Sequence, residues 1–130
     1  MTQLDEVIAD SPYELADGTF WMARSEDRGA DPGAVWGNFN DGLENTRVIA
    51  STEPPAEEGN FYGPLRAFRL RVSKPFAAPG FLAAACTAVA DRGIAVLVIS
   101  TFTYDYVFVR AERIADAEAA LRERGFHASA

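Results

Sequence analysis

Between Arg66 and Phe126 the spacing of apolar residues switches between the period of a strand and that of a helix. That succession constrains the fold more than any other feature of the sequence. Arg66-Ala67-Phe68-Arg69-Leu70-Arg71-Val72 alternates strictly, with Phe68, Leu70 and Val72 on one face and Arg69 and Arg71 on the other. This is the pattern of a half-buried strand. Pro75 and Pro79 break it. From Phe81 the period lengthens: Leu82, Ala85, Cys86 and Val89 fall at i, i+3, i+4 and i+7, which predicts a helix to Arg92. Gly93 follows as its left-handed cap. Residues 94–101 (IAVLVIST) are a β-branched apolar run and 104–110 (YDYVFVR) a further strand, linked closely enough for a hairpin. Residues 111–124 return to a helical pattern, with Ile114, Ala117 and Leu121 on one face, and Gly125 ends it. Phe126-His127-Ala128 supplies a short last strand.

The predicted order, β-α-β-β-α-β, is the ferredoxin-like α+β arrangement, with both helices on one face of an antiparallel sheet. Where one sheet face meets water, strands should alternate apolar and polar. IAVLVI does not, and Tyr106 and Phe108 are aromatic opposite Val107 and Val109. The face away from the helices is therefore expected to be covered, by the first half of the chain or by another subunit.

The first half is less regular. Residues 19–24 and 46–51 read as strands and 34–39 as a weaker third, with no amphipathic helix of normal length. SEDRGADPG (25–33), NDGLEN (40–45) and TEPPAEEGN (52–60) are turn-rich. Pro54-Pro55 marks the change, and two pieces are expected, 1–63 and 64–130, with one shared core the equal alternative. Charge divides similarly: residues 1–65 hold 13 acidic and 3 basic side chains, residues 66–130 hold 6 and 9. Opposite net charges favour two halves packed together.

The formal charge of the 130 residues is −7. An acidic surface repels phosphates and anionic headgroups, so neither a nucleic acid nor a membrane is an expected partner. One cysteine excludes an intramolecular disulfide. With no apolar signal core near the N-terminus, the expected location is cytoplasmic.

Few residues offer chemistry. The one His and one Cys lie about forty positions apart, too little for a metal site or a cysteine–histidine pair. No phosphate-binding loop, dinucleotide fingerprint or zinc motif occurs, and no cofactor is expected. The best candidate is the strand-to-helix stretch from Lys74 to Leu82. A helix start leaves backbone N–H groups unpaired and suits a carboxylate, and Gly80 lets a ligand approach the backbone. Pro79-Gly80 equally well simply starts the helix. Ser100 and Thr101 can hydrogen-bond a ligand or cap the hairpin. Asp105, in an apolar hairpin, either satisfies backbone amides or orients a ligand. A carboxylate pair serving a small enzyme stays open.

The stretch from Pro75 to Phe126 resembles the second repeat of the tandem ACT-like proteins of CASTOR type. The likeness rests on Pro-Gly-x-Leu at the helix start (Pro79, Gly80 and Leu82), Ala-x-x-Gly-Ile from Ala90 to Ile94, and Ile-Ser-Thr-x-x-x-Asp-Tyr-x-x-Val from Ile99 to Val109. It departs from the family at Ala77-Ala78, where an acidic residue is usual. The resemblance implies that residues 1–63 are a divergent first ACT-like repeat and that ACT modules associate side by side, giving a homo-oligomer, most simply a dimer. It also implies a non-catalytic regulatory module that binds a small ligand, an amino acid, at an ACT–ACT interface near the strand-to-helix loop. Carried onto this chain, the ligand-binding residues are Pro79, Gly80, Phe81 and Leu82, then Ser100, Thr101, Phe102 and Asp105. The competing expectation is a ligand-free scaffold that dimerises or binds a protein partner. A cationic ligand side chain would suit the acidic first half.

Overall fold

The alternation at Phe68, Leu70 and Val72 does build a strand, and it begins earlier than the pattern predicts. In the computed structural model, which describes residues 2–25, 36–55 and 60–129, it runs over Phe61–Arg71. Gly63-Pro64 masks its first part, because Gly and Pro in a run argue against a strand. Residues 26–33 and 56–59 of the turn-rich stretches, and 34–35 of the weak third strand, lie outside the described residues.

In chain order the elements are α1 (Gln3–Ala9), β1 (Tyr13–Leu15), β2 (Phe20–Ser25), β3 (Gly37–Asn40), β4 (Asn45–Ala50), β5 (Phe61–Arg71), α2 (Phe81–Ala90), β6 (Leu97–Ser100), β7 (Tyr104–Arg110) and α3 (Ile114–Arg124), the last entered through a 3-10 turn, Ala111–Arg113. They form two compact units, one of residues 1–16 with 67–130, the other of residues 17–66. The division differs from 1–63 and 64–130 at both ends: the first sixteen residues fold with the second half, and position 63/64 falls inside β5.

In the first unit the strands run β1-β5-β7-β6. Leaving β1 aside, β5, β6 and β7 with α2 and α3 reproduce the predicted β-α-β-β-α order. The fourth strand position is where sequence and structure part. Beside β5 stands β1, antiparallel, with Tyr13 opposite Leu70 and Leu15 opposite Phe68. The predicted strand at 126–128 shrinks to one parallel bridge between Ala128 and Tyr13 on the far side of β1. Tyr13 decides this. It is fully buried, meets Phe68 edge-on at 5.6 Å, and donates its hydroxyl to Glu118 Oε2 at 2.7 Å. Phe126 is meanwhile drawn into the core against Phe81.

Helix α1 carries a capping box: the Thr2 hydroxyl accepts from the Asp5 N–H and the Asp5 carboxylate accepts from the Thr2 N–H. Its Val7 and Ile8 join Phe68, Leu70, Phe81, Ala85, Val89, Val107, Val109, Ala117 and Leu121 in one apolar core. Burial of α2 centres on Phe81, Ala85 and Val89, with Leu82 and Cys86 half-buried at its margin. Gly125 caps α3 at φ 119°. On the opposite sheet face Tyr104, Tyr106 and Phe108 follow one another at ring spacings of 6.3 and 6.4 Å. Phe108 is fully buried and the other two are half-buried.

The second unit is an antiparallel sheet in the order β3-β4-β2-β5, β5 contributing residues 61–66, with no helix among its described residues. Trp21 donates its indole N–H to the Ser51 carbonyl at 3.0 Å and meets Phe61 edge-on. Phe20, Trp21, Ala23, Val48 and Leu65 are buried, and so are the polar Asn45 and Arg47.

Candidate functional site

The sequence candidates belong to the first unit, around the exit of β5. Past Arg71 the chain leaves the sheet: the Val72 N–H donates to the Thr103 carbonyl at 3.2 Å, which ties the strand-to-helix loop to the β6–β7 hairpin. Ser73 is held from the other side, its N–H donating to the buried Ser11 hydroxyl at 2.9 Å. The loop turns back twice. Ala77 N–H reaches the Lys74 carbonyl, and Phe81 N–H reaches that of Ala78. Phe76, between them, has a left-handed backbone with φ 63°, a conformation L-residues other than Asn and Asp rarely adopt.

Gly80 is the N-cap of α2, at φ 87°, and no side chain caps the helix. The first helical bond is Ala84 N–H to the Gly80 carbonyl; the N–H groups of Leu82 and Ala83 have no protein acceptor among the described residues. This positive end faces a cleft of about 330 Å³ lined by loop, helix start and hairpin. Of the sequence candidates, Pro79, Phe81, Leu82, Ser100, Thr101, Phe102 and Asp105 line it. Gly80 does not; it supplies the turn, and a Cβ there would meet only Leu4, at 3.6 Å.

The cleft wall also includes Val72, Lys74, Pro75, Phe76, Ala78 and Thr103. Val72 and Thr103 carry no distinguishing sequence signal. Phe76 does: it is a large aromatic in a proline-bounded loop that neither neighbouring period needs.

Two opposite charges stand unspent here. Lys74 has no ion-pair partner among the described residues and is exposed. Asp105 accepts the Ser100 hydroxyl on Oδ1 at 2.7 Å, leaving Oδ2 without a donor among the described residues. The backbone-amide reading of Asp105 is therefore not what the structure holds; its partner is a hydroxyl at the cleft wall. Thr101 does cap the hairpin, its hydroxyl accepting from the Tyr104 N–H at 3.2 Å.

Cys86 is half-buried on α2, and burial first, then the charge of Asp105, pushes its thiol pKa up. A raised thiol pKa means little thiolate and an unreactive side chain. His127 Nε2 lies 2.6 Å from the Ala9 carbonyl, so its ring joins the C-terminal tail to α1. Among the described residues no three His, Cys, Asp or Glu side chains gather as metal ligands, and no helix is long and apolar enough to cross a membrane.

Residues 64–123, from within β5 to the last turn of α3, match the model of the ACT domain family. Over those residues the chain is ACT-like. This family is regulatory rather than catalytic, and its modules bind small molecules and oligomerise. Known structures extend the likeness beyond the matched residues. A protein of unknown function from Vibrio cholerae, described as a possible transport protein, is 23% identical, with 93% of this chain and 94% of that one covered at a TM-score of 0.77. A protein from Agrobacterium tumefaciens is 20% identical, with 92% of each chain covered at 0.77. The ligand-free regulatory subunit of aspartate kinase from Thermus thermophilus is 14% identical, covering 86% and 95%, at 0.61. At these identities the likeness is one of fold. A search of curated proteins finds no match.

Proposed function

We propose that the protein is a non-catalytic regulatory module whose ACT domain binds a free amino acid in the cleft between the 72–82 loop and the β6–β7 hairpin. The observation that carries this reading is the pairing of unspent opposite charges beside uncapped amides: Lys74 and the start of α2 on one wall, Asp105 on another. An α-carboxylate suits the amides of Leu82 and Ala83 together with the Lys74 ammonium. An α-ammonium suits Asp105 Oδ2, with Ser100 holding the carboxylate in place. A volume of 330 Å³ is at the small end for ligand sites, enough for one metabolite. The Thermus thermophilus neighbour, a regulatory subunit of an amino-acid-related kinase, supports the same class. Binding acts on a subunit or partner equilibrium only through unequal affinity for its two states.

The test is thermal denaturation of the purified protein, stripped of small molecules, against the twenty amino acids and common nucleotides. A ligand at 100 times its Kd adds about 2.7 kcal/mol. A rise confined to amino acids is expected, and it should shrink in Asp105→Asn. A flat panel with a melting temperature that climbs with protein concentration would replace this reading with a ligand-free dimerisation scaffold. The free edge of β6, where Val98 is 37% exposed, favours that second reading.

A further inference from the structure

We infer that the amino acid taken by the cleft has a large apolar side chain, aromatic or long aliphatic, received by Phe76 and Phe102; the inference rests on the amino-acid reading above. The two phenylalanines are 83% and 76% exposed and come from different segments, the strand-to-helix loop and the hairpin. Their rings meet edge-on at 5.0 Å. Two large apolar side chains left in water at the rim of a cavity are unfavourable there unless something covers them. Phe76 is in addition held at φ 63°, and non-glycine residues kept in that region concentrate at ligand clamps.

The remaining wall points the same way. Val72, Pro75, Pro79 and Leu82 are apolar, and among the described residues Asp105 and Lys74 are the only charged ones lining the cleft. Once the ligand's ammonium and carboxylate have taken them, a charged side chain would enter apolar surroundings without a partner, which is costly. Lysine, arginine, aspartate and glutamate are disfavoured by that count. The acidic first half does not alter it, because among the described residues no other carboxylate lines the cleft. A third ring or a branched aliphatic group beside an edge-on aromatic pair gains both burial and favourable ring geometry.

Calorimetric competition on the full chain tests this with L-phenylalanine, L-leucine, L-alanine, L-lysine and L-glutamate. Phenylalanine or leucine should bind at least ~10-fold more tightly than alanine, and lysine and glutamate no better than alanine. Phe76→Ala and Phe102→Ala, both at exposed positions and checked for fold by circular dichroism, should bring the ratio of large to small ligand toward one, weakening phenylalanine and leucine far more than alanine. Asp105→Asn should weaken every amino acid by a common factor. If lysine or glutamate binds most tightly, or the ratio survives both phenylalanine variants, the side-chain inference fails while the amino-acid reading stands. If no amino acid binds the parent protein, both fail. If the phenylalanine variants shift only a monomer–dimer equilibrium in ultracentrifugation, the pair is a contact between copies and the inference is wrong.

Discussion

The two units keep their shape by different means. The first places its helices on a sheet around an apolar core, from Val7 and Ile8 to Leu121 and Phe126, in which the buried Tyr13 and Ser11 hydroxyls are hydrogen-bonded. The second has strands alone among its described residues and buries Asn45 and Arg47 beside its aromatics. The Asn45 side-chain oxygen is buried without a hydrogen-bond partner among those residues. Its turns are set by side chains: Asp41 Oδ1 accepts from the Leu43 and Glu44 N–H groups, which holds the Asp41 carboxyl below its usual pKa. Helix-on-sheet packing tolerates local irregularity because many apolar contacts share the load. A sheet pinned by a few turns and rings does not. The comparison can be followed optically, since the α-helices among the described residues all belong to the first unit and both tryptophans, Trp21 and Trp36, to the second.

Phe68→Ala should have the largest effect. Phe68 is fully buried on β5 and packs edge-on against Tyr13, so truncation is expected to cost about 3–5 kcal/mol. Because β5 serves both units, helical circular dichroism and tryptophan fluorescence should fall together, at one lowered temperature. If the helical signal melts well before the fluorescence, the units are separate cooperative blocks of unequal stability.

How much of this was legible follows the same contrast. From Phe68 to Gly125 every local signal agrees: alternation, a Pro-Gly helix start, β-branched strands and a terminal glycine. What escaped depends on distant pairing. Helix α1 is only seven residues, below the length at which periodicity speaks, although Thr2 followed by Asp5 was a readable capping signal. Strand β1 is three residues, and partners far along the chain, among them Leu70, Phe68 and the Glu118 acceptor, fix it beside β5. At the site, the loop from Lys74 to Leu82 was legible because helix starts advertise unpaired amides. Val72 and Thr103 were not, since a backbone bond between chain segments thirty residues apart has no local signature.

Gly63→Ala probes the second unit, at a smaller scale. A Cβ there would lie 2.8 Å from Trp21 Cε3 and 3.0 Å from the Phe20 carbonyl oxygen, with the backbone at φ 153°. The indole is pinned by its bond to Ser51 and by Phe61, and the carbonyl cannot move without its strand. The expected loss is about 1–3 kcal/mol, with altered tryptophan emission at low temperature and unchanged helical circular dichroism. An unaltered emission spectrum and melting curve would mean the sheet yields more easily than its few anchors suggest.

Tyr13→Phe has the smallest expected effect and asks what holds the first sixteen residues in the first unit. Removing the hydroxyl that donates to Glu118 should cost about 1 kcal/mol and raise hydrogen exchange over α1 and β1. It should also change the alkaline limb of stability. Burial first, then the bond to Glu118 and its negative charge, pushes the Tyr13 phenol up to about 12 from its ordinary value of 10.0. The folded state thus favours the neutral phenol. That contribution is complete below the unfolded pKa near 10 and is lost as pH rises through about 12, where the buried group must ionise. Phenylalanine has no proton to lose, so the variant's melting temperature should fall less steeply than the parent's between pH 10 and 12. Equal slopes would show that Tyr13 is released before it titrates. The N-terminal segment would then be a loosely docked strap on this unit instead of its fourth strand.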